Sequence, residues 1–157
     1  MNAKKTPSGI KIIAQNRRAR HEYEVMQTIE CGIVLLGTEV KALRDGRANL
    51  GDSYAEIKRG EVWLVKMHIG PYDMGNRANH EPFRRRKLLL NRREIKKLIP
   101  KTEEGGLTLI PLKVYFKQGR VKVEIALARG KKLYDKRHDK AKRDADRAMA
   151  KILGRRG

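Results

Sequence analysis

Between Leu107 and Ala128 the chain reads LTLIPLKVYFKQGRVKVEIALA, with apolar and polar residues alternating on both sides of a KQGR turn. A period of two puts successive side chains on opposite faces of a strand, which confines this stretch to an antiparallel hairpin with one buried face. Leu112, Val114 and Phe116 are expected to share that face, answered by Val121, Val123, Ile125 and Leu127 on the return strand. A helical period would scatter the same residues around its circumference. Any fold for this chain must supply a layer that covers the hairpin.

The remainder of the body reads as short strands and shorter helices. IKIIAQ at 10–15 is β-like, and NRRARHEY follows with Asn16 expected to cap a helix of about two turns. YEVMQTIECGIVLL at 23–36 predicts a long strand bent at Gly32, and GTEVKALRDG a helix capped by Thr38 and closed at Gly46. Beyond the polar loop RANLGDS, SYAEIKR and EVWLVKMHI flank Gly60 as a hairpin. Trp63, Val65, Met67 and Ile69 are expected on its inner face, with Lys66 and His68 outside. PYDMGNRANHEPFRRRK lacks periodicity and reads as an exposed loop ending in a basic cluster. In LLLNRREIKKLIP, Asn91 caps a helix whose Ile95, Leu98 and Ile99 share a face until Pro100 stops it. Strands in hairpins with two or three short helices and no βαβ rhythm predict a mainly β domain over residues 1–130. It is a small closed or partly closed barrel of the oligonucleotide-binding (OB) type.

Charge narrows the partner. Of 157 residues, 38 are Lys or Arg and 18 Asp or Glu, a net charge of +20. The tail, residues 131–157, holds 11 basic residues against 4 Asp, or +7, leaving +13 for residues 1–130. Nucleic acid, an anionic membrane or an acidic protein would each suit this excess. In DKAKRDADRAMAKIL, from Asp139, apolar residues recur at helical spacing, with Asp135 or Asp139 as cap, but the stripe is mostly alanine. Such a helix is marginal in water, so the tail is expected to be disordered alone and helical against an anionic surface. No apolar run reaches the roughly 18 residues of a membrane span, and MNAKKTPSGI lacks the apolar core of a signal peptide, which predicts a cytoplasmic protein without membrane contact.

Catalytic constellations are missing from the text. His21, His68, His80 and His138 have no metal-ligand spacing, GKK at 130–132 lacks the upstream glycine of a phosphate loop, and Glu103 and Glu104 beside two glycines read as a solvated turn. Cys31 is the single cysteine and is expected to pack as a small strand residue. No enzyme activity, metal or cofactor is expected. Basic clusters at Arg17, Arg18, Arg20 and His21, at Lys41, Arg44 and Arg47, and at Arg84 to Lys87 instead outline an RNA surface on the barrel. Aromatics are 5%, too few for a row of stacked bases, so backbone and shape recognition of a folded RNA fits better.

NRRARHEY, ECGIVLLGTEVKALRDGRANLGDSYAEI, RKLLLN and ARGKKLYDKRHDKAKRD occur in this order, and together they resemble the successive signatures of the small protein B (SmpB) family. The resemblance implies an OB-type barrel that binds the tRNA-like domain of transfer-messenger RNA (tmRNA, or SsrA RNA). It also implies a role in trans-translation: delivery of alanine-charged tmRNA, with elongation factor Tu, to ribosomes stalled on messages without a stop codon. The stalled peptide then receives a degradation tag and the ribosome is released.

By the same resemblance, Asn16, His21, Tyr23, Glu30, Leu89 and Asn91 fall in the tmRNA-binding patch, with Arg18, Lys41 and Arg44 as electrostatic support. Leu89 beside a helix cap serves equally as packing under the patch, and His21 beside an aromatic equally as a half-buried ring. The tail would lie in the decoding centre of 16S rRNA and the empty mRNA channel. Tyr134 there offers an aromatic face, and Lys131, Lys132, Asp135, Lys136, Arg137, His138, Lys140, Lys142 and Arg143 supply its polar contacts. Two other readings remain at this point: a structural ribosomal protein bound permanently to rRNA, and a nuclease.

Overall fold

The computed structural model of the protein describes residues 9–74, 79–131 and 141–150. In chain order the elements are β1 (Ile10–Gln15), α1 (Ala19–Glu22), β2 (Tyr23–Ile33), α2 (Gly37–Arg44), β3 (Ala48–Asn49), β4 (Tyr54–Lys58), β5 (Glu61–Val65), β6 (His68–Ile69), β7 (Arg86–Leu89), α3 (Arg92–Glu103), β8 (Thr108–Lys117) and β9 (Arg120–Gly130). Residues 141–150 add a helical segment with every residue exposed. An all-exposed helix buries no apolar area, as its alanine stripe led us to expect.

The hairpin of β8 and β9 organises the rest. Its turn places Gln118 and Gly119 both at positive φ, 50° and 77°, the geometry whose twist matches the flanking strands. β8 and β9 pair with each other, and the sheet also runs β8-β4-β5-β7-β2-β9, so these strands close into a ring with β1 added along β8. This mainly β, OB-like barrel agrees with the sequence reading. Its interior is filled by Ile29, Cys31, Val62, Leu64, Leu88, Val114, Val123, Ile125 and Leu127, while Ala42 and Leu43 of α2 and Leu98 of α3 contribute from the helices. A smaller buried cluster of Ala19, Ile110, Leu112 and Ala126 lies apart from that core, with half-buried Tyr23, Val25 and Tyr54 packed against it. Cys31 packs as expected: its Sγ meets the Val123 carbonyl at 3.3 Å, and burial pushes its thiol up to about 12.

The elements hold while several phases and caps differ. Leu112 does not share the face of Val114 and Phe116, because β8 shifts register against β9 between Pro111 and Lys113. An extra residue in a period-two pattern turns all that follows to the other face. In β5 the same logic puts Val62 and Leu64, not Trp63, inside. Lys66, at φ 65°, then resets the phase so that Met67 and Ile69 point inward as predicted. β2 shifts register against β9 between Val25 and Gln27, well before Gly32.

Asn16 is no helix cap. Its backbone N–H donates to Leu112 O at 2.7 Å and its Nδ2 to Pro111 O at 3.3 Å, pinning the end of β1 to β8 beside the bulge, and α1 is a single turn. α2 is entered at Leu36 rather than Thr38, with Glu39 Oε1 accepting from Leu36 N at 2.7 Å. The Thr38 hydroxyl meets buried His80 Nδ1 at 2.9 Å, and His80 Nε2 donates to Ile69 O at 2.9 Å. The Asn91 cap is as predicted, Oδ1 accepting from Glu94 N at 2.9 Å, but α3 passes through Pro100 to Glu103. Pro100 is exposed, so water can take the carbonyl one turn back that a proline cannot reach.

Candidate nucleic-acid interface

Glu30, Leu89 and Asn91 come together through strand pairing. In β2, Ile29 and Cys31 face the barrel core, so Glu30 between them faces outward, opposite Glu124 of β9. Two residues on, Gly32 pairs at once with Lys122 of β9 and Leu89 of β7. A Cβ at Gly32 would stand 3.3 Å from the Leu89 side chain, so the glycine lets Leu89 lie across β2. Leu89 is 50% exposed, part of its side chain lying against Gly32 and part on the surface. Asn91 follows at the exposed cap of α3.

The neighbours of Glu30 make it more than a bulk charge. Tyr115 Oη donates to Glu30 Oε2, and Lys117 Nζ lies 3.3 Å from both carboxylate oxygens. The Tyr115 hydrogen bond is the main influence on the carboxyl; with Lys117 and Lys122 it outweighs burial and holds the pKa below the ordinary value. Burial first, then the Glu30 bond, raises the Tyr115 phenol well above its usual range. Glu30 is therefore anionic and oriented within a basic surface. The sequence signal for Tyr115 was an aromatic at an outward position between Lys113 and Lys117, which the reading passed over.

A second group forms around α1. Asn16, Arg18 and Tyr23 line one cleft of about 390 Å³ together with Asp52 and Tyr54. His21 is exposed, and its Nδ1 receives Arg143 Nη2 of the helical tail segment at 3.1 Å, so it is not a half-buried ring. Lys41 and Arg44 form a third group on the exposed side of α2, with Lys41 Nζ 5.4 Å from the Tyr72 ring centroid. Of the tail residues, Lys131, Lys142 and Arg143 are described. Lys132, Tyr134, Asp135, Lys136, Arg137, His138 and Lys140, like the caps expected at Asp135 and Asp139, lie outside the described residues.

The basic cluster at 84–87 is ion-paired within the protein. Arg84 and Arg86 both donate to Glu39, Arg85 meets Glu56 at 2.8 Å, and Lys87 meets Glu61 at 3.1 Å. Glu39 and Arg86 are 0% exposed, and Arg86 also donates to Met67 O at 2.7 Å and Pro82 O at 3.1 Å. Burial works to raise the Glu39 pKa; the hydrogen bonds from Arg84, Leu36 N–H and Arg86 overcome it and bring the carboxyl below the ordinary range. This pair fastens α2 to β7. From the sequence Arg86 was placed in the basic cluster expected to face RNA, and Glu39 was not singled out.

Comparison with known proteins places this chain in a family. The SmpB protein family profile matches residues 13–155. An SsrA-binding protein of Parafrankia sp. (strain EAN1pec) is 63% identical over 148 residues, covering 94% of each chain. One from Desulforudis audaxviator is 62% identical over 141 residues, covering 90% of this chain and 92% of the relative. Among solved structures, a chain of "tmRNA-SmpB: a journey to the center of the bacterial ribosome" superposes with a TM-score of 0.64 at 50% identity, covering 76% of this chain and 85% of that one. The chain belongs to the SmpB family.

Proposed function

We propose that this chain is the tmRNA-binding adaptor of trans-translation. It binds the tRNA-like domain of tmRNA and brings it to stalled ribosomes, whose nascent peptides are then tagged for degradation. The protein is an RNA-binding adaptor and not an enzyme. Family membership across 13–155 supports the activity, and the observation that carries the site assignment is the shared outer wall of Glu30, Leu89 and Asn91. In this reading the +13 of residues 1–130 draws the RNA in, the α1 group and Lys41 and Arg44 meet its phosphates, and the wall reads groups that phosphate attraction ignores.

The division of labour is part of the proposal. Residues 1–130 hold tmRNA, and residues 131–157 enter the decoding centre and the vacant mRNA channel, where rRNA phosphates supply the surface that an exposed alanine-rich helix lacks. A message still occupying the channel excludes the tail, so stalled ribosomes are selected by sterics. Elongation factor Tu carries the charged tmRNA with the protein, and the cytoplasm is the compartment of action. No helix among the described residues is long and apolar enough to cross a membrane.

Truncation after Gly130 tests the scheme. The shortened protein is expected to bind the tRNA-like domain with affinity within about twofold of the full chain, a difference below 1 kcal/mol, while tagging on a non-stop message disappears. Full tagging by the truncated protein would remove the tail from the mechanism.

A further inference from the structure

Tyr115 is buried where the barrel gives it no reason to be. It stands on β8 facing away from Val114 and Phe116, in register with Ile12 of β1 and Lys122 of β9, yet only 2% of it is exposed. Lys113 Nζ lies 5.6 Å from its ring centroid. A buried phenol needs a partner for its O–H, and this one finds it two strands away, on β2, across β9. Two inter-strand spacings are about 9.6 Å, a gap that a tyrosine and a glutamate close only when both extend toward each other.

Holding Glu30 this way has a chemical consequence. An ionised carboxylate only accepts hydrogen bonds, at about four lone-pair positions. Tyr115 and Lys117 approach from the β8 side, and the Glu30 side chain remains 38% exposed, so acceptor capacity still faces solvent. A phosphate oxygen finds no hydrogen to accept from that carboxylate, whereas a donor is welcomed. A free glutamate would lose rotamer freedom on meeting such a donor, whereas the tethered one has lost it already.

We propose that Tyr115 is a positioning residue for RNA recognition: with Lys117 it fixes Glu30 on the outer wall as the acceptor for a hydrogen-bond donor of the RNA, a ribose 2′-hydroxyl or a base amino group. The inference rests on the adaptor reading and deepens it. It explains how an acid serves on a surface that is otherwise neutral or basic. It also assigns the outward Tyr115, Lys117 and Glu30 one joint task that sheet stability does not require.

Tyr115→Phe keeps the ring and removes the hydroxyl. Affinity for a transcribed tRNA-like domain of tmRNA is expected to fall about tenfold, the scale of one hydrogen bond to a charged group, with the melting curve monitored in parallel. In a Glu30→Ala background the same change is expected to cause no further loss, because the hydroxyl then has nothing to hold. Transcripts with 2′-deoxy substitutions, and others with bases lacking the amino group, separate the two donor sources: interference seen with the wild type and lost with Glu30→Ala marks the donor. Equal affinity of Tyr115→Phe and wild type, additive losses in the double variant, or interference from neither class overturns the inference and leaves the adaptor reading intact. Failure of the wild type to bind the transcript overturns both.

Discussion

Glu39 is the side chain whose neutralisation should cost this molecule most. It and Arg86 are both fully buried, and each is the other's counter-charge. Taking one charge away leaves the other uncompensated inside the protein, which typically costs about 3–5 kcal/mol. Glu39→Gln is therefore expected to lower the melting temperature by roughly 10 °C for a chain of this size. The pH dependence follows from the depressed carboxyl. Its contribution is complete above the ordinary glutamate value of 4.5 and is lost as pH falls through the lower native value. Thermal melts between pH 7 and pH 3 are expected to show this acid loss in the wild type and a flatter profile in Glu39→Gln. None of this was legible in GTEVKALRDG, because burial of an acid is decided by an arginine 47 positions along the chain.

At the scale of elements, α3 separates stability from recognition. Asn91 caps the helix through Oδ1, and the Glu94 side chain returns to Asn91 N at 3.3 Å. Asn91→Ala is expected to cost about 1 kcal/mol in denaturant unfolding, whereas Asn91→Ser keeps a capping oxygen and most of that stability. If Asn91 also touches tmRNA, both variants lose RNA affinity alike; affinity that tracks stability instead would reduce it to a cap. The hairpin turn offers a purer structural test. Gly119→Val places a β-branched residue at φ 77° and is expected to cost about 1–2 kcal/mol, read as a lower melting temperature. Helix capping at Asn91 and the KQGR turn were legible because each is a local contest between neighbouring groups. The phases of Leu112 and Trp63 were not, since a single inserted residue at Pro111–Lys113 or a left-handed Lys66 reverses every face beyond it.

For the whole molecule the governing quantity is a charge of +20 spread over a barrel and a tail. The barrel has its own core, while the helical segment 141–150 buries nothing, so removing residues 131–157 is expected to leave the body folded. Binding of the tRNA-like domain should weaken with salt by a log–log slope of about −0.7 per single-strand phosphate and −0.9 per duplex phosphate neutralised. Full-length and truncated proteins are expected to share that slope within one phosphate, measured as affinity across a salt series. A slope near zero would show the charge to be incidental to tmRNA binding.

Alternation along 107–128, the glycine turns, the cationic excess and the family signatures needed no coordinates, because each is written in adjacent residues or in composition. The pairing of Glu39 with Arg86, the ion-paired fate of the 84–87 cluster, and the reach of Tyr115 across β9 to Glu30 came only with the closed barrel. Contacts between strands distant in sequence depend on register, and register is settled by how the whole sheet closes on its core rather than by any one segment.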